Sequence, residues 1–167
     1  MLDFLSMSEP WRRWILGALA TTLLFCVSAC QSDTAASEAD AAGILSLLEA
    51  YLPRLALSYS TGDPSVLEGY AAAKEIAGLR KRIRDLDLES REIKPTFHSV
   101  KLESAQVWSY ANAFATTLEL WDLQVVVAGT RTVLSEVEGQ RSRVKYQLKR
   151  SDDSWVVLFR EIETVFE

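Results

Sequence analysis

Cysteine and histidine are almost absent from this chain of 167 residues, which holds two cysteines, Cys26 and Cys30, and one histidine, His98. So small a set excludes a His/Cys transition-metal cluster. Both cysteines lie in the first 30 residues, so no disulfide can form in the sequence that follows. An excess of positive charge is also lacking. The net charge is −5, which removes the electrostatic ground for nucleic-acid binding. There is no glycine-rich phosphate loop, no Ser-His-Asp arrangement, no EF-hand spacing and no internal repeat. Nothing in the residues implies a cofactor or a metal, and calcium would have to be held by scattered carboxylates.

What is present begins with a long apolar run. Arg12 and Arg13 precede about 19 uncharged residues, from Trp14 to Ser32. The two arginines supply a positive n-region and Ile15 to Val27 an apolar h-region, the pattern of an export signal. The run ends in Val27-Ser28-Ala29-Cys30, which resembles the lipobox of bacterial lipoproteins. Small side chains before the cysteine let a peptidase reach the backbone. The resemblance implies that the Cys30 thiol carries a diacylglycerol and that cleavage frees its amine for further acylation. Cys26 is the poorer acceptor, because bulky Phe25 precedes it. A transmembrane anchor is the competing reading, since the run is just long enough to span a bilayer. Arg12-Arg13 faintly resembles a twin-arginine signal, but Trp11 replaces the usual Ser or Thr, and general secretion fits better. Met7 is an alternative start to Met1.

Cleavage before Cys30 leaves 138 residues. Arg12 and Arg13 cancel Asp3 and Glu9, so the net charge stays at −5. Gln31, not Asp, follows the cysteine. By resemblance to enterobacterial sorting this implies the periplasmic side of the outer membrane, if the source is Gram-negative. The chain then divides into a signal peptide over 1–29, a lipidated Cys and flexible tether over 30–42, and a folded domain over 43–167. Residues 31–42 lack any large apolar side chain and cannot fold alone, so they form a tether or the frayed start of the next helix.

From Ile44 the spacing turns helical. Ile44, Leu48, Tyr51, Leu52, Leu55 and Tyr59 form one apolar stripe, with Pro53 predicted to kink it. Thr61-Gly62-Asp63-Pro64 is a break with helix-stop and helix-start residues. A second helical region follows to about Leu88, broken near Gly69 or Gly78. After Ser90 the residues favour strands. Pro95 suggests an edge strand. In the run from Ala113 to Val127 the even residues, Phe114, Thr116, Leu118 and Leu120, are expected to face the helices. Arg141, Arg143 and Lys145 alternate with Val144, Tyr146 and Leu148, a basic outer face over an apolar inner one. Asp152-Asp153 reads as a hairpin turn. Trp155 to Phe166 reads as a last strand, central or covered at its start.

Helices first and strands afterwards indicate an α+β fold, with two or three N-terminal helices packed on a curved four-stranded antiparallel sheet. This order, with Tyr146-Gln147-Leu148-Lys149-Arg150 and Trp155-Val156-Val157 closing the sheet, resembles the nuclear transport factor 2-like superfamily, of cystatin-like α+β architecture. The resemblance implies a cone whose wide end can hold a ligand. It includes isomerases and hydratases as well as binding modules, so fold alone does not choose among them.

Four candidates compete with bland readings. His98 is a candidate base, read more simply as a surface residue. Isomerases of the superfamily place a carboxylate and a tyrosine in the cone. Tyr110 and Glu119 are the residues to offer here, although Glu119 lies on the face opposite the expected core. Tyr51, Tyr59, Trp108, Tyr110, Trp121 and Trp155 are candidate pocket aromatics, with ordinary core packing as the alternative. Arg80, Lys81, Arg84, Arg141, Arg143 and Lys145 form a candidate basic patch for lipid headgroups, with a solvated ion-paired face as the alternative.

The leading expectation is a lipid-anchored envelope protein with a non-catalytic binding or assembly domain. Its partners are the membrane, through Cys30, and an envelope protein or a small apolar ligand. An isomerase or hydratase is the least favoured option. Metabolic labelling with palmitate tests the anchor. The wild-type protein takes up label and Cys30→Ser does not; an unlabelled wild type contradicts the lipobox reading.

Overall fold

The computed structural model describes residues 34–166 except Arg131. The expected signal segment, Cys30 and the chain up to Asp33 lie outside the described residues. A two-residue strand β1 (Thr34–Ala35) precedes helix α1 (Glu38–Thr61). A 3-10 turn (Pro64–Leu67) leads to helix α2 (Ala73–Leu88), and four long strands follow: β2 (Arg91–Trp108), β3 (Asn112–Val127), β4 (Val133–Ser151) and β5 (Ser154–Phe166). The sheet order is β1-β2-β3-β4-β5, with every neighbouring pair antiparallel. The class is therefore α+β, and among the described residues there are two α-helices.

Local chemistry sets the helix limits. The Ser37 side chain caps α1 by accepting from the Asp40 backbone N–H at 3.1 Å. The helix continues through Pro53. One turn before it, the Ala50 carbonyl takes a hydrogen bond from Arg54 Nη1 at 2.7 Å. Gly62 ends the helix in a left-handed conformation with φ 71°. Asp63 then accepts from the Ser65 N–H at 2.9 Å, with Pro64 in the first turn. By length and composition α1 would reach across a membrane. Its stripe of Ile44, Leu48, Tyr51, Leu52 and Leu55 is instead buried with the strands, as in the core helix of a globular domain.

Gly69, with φ 83°, breaks the second helical region, while Gly78 lies inside α2. Between the break and α2 the chain runs along β5. Val157 donates its N–H to the Tyr70 carbonyl at 2.9 Å, and Ala72 donates to the Val157 carbonyl at 2.8 Å. β5 is thus an edge strand, not a central one, and its edge is covered at Val157. Pro95 sits on β2, whose outer edge, among the described residues, pairs with β1 at Val107 and Gln106 alone.

The face of β3 is opposite to the expected one. Ala113, Ala115, Thr117, Glu119 and Trp121 are buried, and Phe114 is 47% exposed. The expectation assumed that a glutamate on a strand points to water. Here the carboxylate is neutralised inside the fold, and small Ala113 and Ala115 join the core cluster beside α1's apolar stripe. Counting apolar residues favours the even set and cannot detect this. In β4 the alternation is as expected: Val144, Tyr146 and Leu148 are fully buried, and the arginines and lysine face out.

The glycines yield a stability test. A Cβ at Gly78 meets nothing within 4 Å in a helical backbone, whereas Gly62 holds a left-handed φ. Gly78→Ala should stabilise the domain by about 1 kcal/mol. Gly62→Ala should destabilise it by about 1 kcal/mol. Urea titration of both variants gives the signs.

Candidate functional site

Glu119 is the centre of a buried polar cluster. It is 0% exposed, in the middle of β3. Thr117 and Trp121 stand two residues away on the same face, so a strand alone brings their donors to it. The Thr117 hydroxyl lies 3.1 Å from Glu119 Oε1, and Trp121 Nε1 donates to Oε2 at 2.8 Å. Tyr146 on β4 donates its hydroxyl to Oε1 at 2.5 Å. Arg160 on β5 donates Nη2 to Oε2 at 2.8 Å and Nε to the Tyr146 oxygen at 3.1 Å. Each carboxylate oxygen therefore has two donors, and the network ties β3, β4 and β5 together.

The electrostatics follow from burial. Desolvation pushes the Tyr146 hydroxyl well above the ordinary tyrosine range; Arg160 opposes this and Glu119 adds to it. Burial pulls the Arg160 guanidinium down, but Tyr146 and Glu119 outweigh it, so Arg160 keeps its charge. A carboxylate with four donors has little lone-pair capacity left for a substrate proton. The arrangement suits structure better than general-base catalysis.

Around the cluster are two adjoining clefts that share Leu55, Tyr59, Arg160 and Ile162. The first, of ≈ 190 Å³, is completed by residues such as Ile93, Trp121, Leu123 and Ser142. The second, of ≈ 290 Å³, is closed by Glu75 and Arg82, paired at 2.9 Å across two turns of α2. Both fall below the ~300–1,000 Å³ usual for small-molecule sites. Tyr51 packs edge-on to Tyr146 with ring centroids 6.4 Å apart, and among the described residues its buried hydroxyl has no hydrogen-bond partner. Burial, reinforced by Glu75, raises its pKa.

The other candidates are dispersed. Of the six pocket aromatics, only Tyr59 and Trp121 line the first cleft. Tyr51 and Trp155 belong to the core. Trp108 packs on Phe114 at 4.3 Å between ring centroids. Tyr110 is 80% exposed, so it does not join Glu119 in a carboxylate–tyrosine pair. His98 Nε2 is 2.7 Å from Asp122 Oδ2, and Gly139 N–H donates to Asp122 Oδ1 at 2.7 Å. These two bonds lower the Asp122 carboxyl pKa, the Gly139 contribution being the larger. The contacts link β2, β3 and β4 at a pair of strand irregularities, away from Glu119. Among the described residues no group of three His, Cys, Asp or Glu side chains is placed to hold a metal.

The basic residues do not form one patch. Arg80 and Arg84 line a groove beside Tyr59–Gly62 and Arg91–Ile93. Lys81 pairs with Asp85 at 2.8 Å. Arg141, Arg143 and Lys145 lie on the sheet face turned away from the buried residues of β4. There Arg143 binds Glu103 through two nitrogens, at 2.7 and 3.2 Å, and Lys145 pairs with Glu163. The patch divides because Arg80, Lys81 and Arg84 lie on α2, which packs on the core side of the sheet, while Arg141, Arg143 and Lys145 lie on the opposite face, where strand acids pair with Arg143 and Lys145.

Arg160, Tyr146 and Thr117 were not among the residues singled out from sequence. One signal was available: a glutamate flanked at i ± 2 by a hydroxyl and an indole donor within an apolar strand. Nothing local pointed to Arg160, which reaches the core face because β5 carries an extra residue at Leu158.

No protein-family model matches this sequence, and no curated protein matches it significantly. The fold does have counterparts among solved structures. The intermembrane-space region of the chloroplast protein ARC6 aligns with a TM-score of 0.62 at 9% identity, over 74% of this chain and 95% of that one. A periplasmic fragment of TraM aligns with a TM-score of 0.50 at 14% identity, over 76% and 98%. A protein of unknown function with a cystatin-like fold from Nostoc punctiforme aligns at 0.44 and 15% identity, over 77% and 93%. The structural neighbours thus include proteins described as cystatin-like and NTF-2 like. At these identities the fold is what is shared.

Three substitutions test the polar cluster. Glu119→Ala strands the Arg160 charge and should cost about 3–5 kcal/mol. Tyr146→Phe removes a donor that Glu119 uses and should destabilise. Tyr51→Phe removes an unsatisfied buried hydroxyl and should be neutral or stabilising by about 1 kcal/mol. Thermal or urea unfolding of the three gives the order; a Tyr51→Phe loss as large as that of Tyr146→Phe contradicts this geometry.

Proposed function

We propose that the protein is a membrane-anchored envelope lipoprotein whose α+β domain binds or assembles with another envelope protein and performs no chemistry. The observation that carries the non-catalytic part is the saturation of Glu119. It is the buried carboxylate best placed to act as a base, and four donors from the protein already occupy it. The anchor rests on Val27-Ser28-Ala29-Cys30. Gln31 favours the periplasmic side of the outer membrane, if the cell is Gram-negative. The presence of the same fold in a periplasmic fragment and in an intermembrane-space region is in keeping with an extracytoplasmic setting.

A carrier for a small apolar ligand is the second reading. In its favour, the first cleft is lined by Leu55, Ile93, Trp121, Leu123 and Ile162. Against it, the cleft is small and partly open to solvent. An isomerase or hydratase built from Tyr110, Glu119 and His98 is set aside, because these three side chains do not meet.

Isolation of the lipidated protein from solubilised envelope membranes distinguishes the readings. The binding-module reading predicts a protein partner in stoichiometric amount. Recovery of the protein alone, with a small apolar molecule retained in native mass spectrometry, would overturn it in favour of the carrier.

A further inference from the structure

The described fold begins much closer to Cys30 than the composition of residues 31–42 suggests. Thr34 is the fourth residue after the cysteine and is already paired with Val107. However the intervening residues are arranged, four residues reach at most about 14 Å. The antiparallel register, Thr34 with Val107 and Ala35 with Gln106, has the chain entering β1 from the side of Trp108 and the β2–β3 turn.

That end of the domain carries two exposed aromatic side chains, Tyr110 and Phe114, beside a half-buried Trp108. Trp108 and Phe114 pack together on the sheet face away from the core, with Phe114 47% exposed. Tyr110, at the tip of the turn, is 80% exposed. The neighbouring β4–β5 hairpin is held at the same level. Arg150 donates its backbone N–H to Ala111 at 2.8 Å, and its guanidinium lies 5.1 Å from the Tyr110 ring centre. The side chain of Arg150 is paired with Asp40, and Asp152 and Asp153 follow Lys149 in the hairpin. The tip therefore has no excess of positive charge.

From the short leash and these aromatics we infer that the β2–β3 turn, with Trp108, Tyr110 and Phe114, rests in the headgroup region of the lipid bilayer. Amphipathic Trp and Tyr rings favour that zone, and the lack of net positive charge fits a zwitterionic rather than an anionic surface. The inference deepens the anchored-lipoprotein reading and rests on acylation of Cys30. It also moves the membrane contact away from Arg80, Lys81 and Arg84. The groove holding Arg80 and Arg84 adjoins Tyr59–Gly62, at the other end of α1. A helix of 24 residues is about 36 Å long, well beyond the reach of the leash.

The absence of cysteine after Cys30 makes a site-specific test available. Tyr110→Cys and Lys81→Cys, both at exposed positions, are labelled with an environment-sensitive fluorophore, and circular dichroism confirms that each variant is folded. The acylated proteins are placed in phosphatidylcholine vesicles, with the acyl chains verified by intact mass spectrometry. The label at 110 should shift to the blue and be quenched by brominated lipid, and the label at 81 should stay as in water. Acylated protein whose label at 110 remains in water, or whose two labels respond alike, overturns the inference while leaving the anchor intact. Protein lacking acyl chains in mass spectrometry overturns the anchor, and this inference with it.

Discussion

The contact between the Glu119 carboxylate and the Arg160 guanidinium decides how this domain is put together. A fully buried carboxylate and a largely buried guanidinium, 17% exposed, are costly to bury apart and tolerable only when paired and hydrogen-bonded. Thr117, Trp121 and Tyr146 complete the hydrogen bonding. The pair also determines which face of β3 looks inward. With Glu119 inside, Ala113, Ala115 and Trp121 must be inside as well, and Phe114, Leu118 and Leu120 must point away. The register of β5 follows too, since Arg160 reaches the core face only through the extra residue at Leu158.

The same pair limits what the domain can do. A base needs a lone pair within reach of a substrate, and a proton path. The network consumes the first by enclosing both oxygens with donors from the chain itself. The clefts beside it are shallow in volume, and the His98–Asp122 contact serves to join strands at a bulge. What remains available for recognition is surface: the uncovered sheet face, where Phe159 and Phe166 alternate with ion-paired residues, and the aromatic end beside β1. Such surfaces suit binding and assembly.

Much of the fold was legible in sequence because its signals are local. The α1 stripe, the break at Gly62-Asp63-Pro64, the turn at Asp152-Asp153 and the alternation of β4 each express the spacing or φ preference of neighbouring residues. The facing of β3 was not legible from apolar counts, because Phe114, Leu118 and Leu120 outweigh Ala113 and Ala115. Only the long-range partner at Arg160 reverses that balance, and the bulge that delivers it leaves no local mark. The candidate site was misread for the same reason. Tyr110 and His98 stand out by residue type, whereas Tyr146 looks like an ordinary inward-facing strand residue. The position of β1 was hidden too, since one β-branched residue, Thr34, in a run of small residues makes no strand pattern without the edge of β2 that it meets.

The central claim is that Glu119 is locked from all sides by donors of the chain. Hydrogen exchange at the Arg160 side chain measures this directly. A 15N NMR spectrum of the folded domain should show the Arg160 Nε–H as a distinct resonance, exchanging slowly with water because it is buried and bonded to Tyr146. A resonance that exchanges as fast as that of an exposed arginine such as Arg84 would mean that the network is open to solvent, and that the carboxylate is free for chemistry after all.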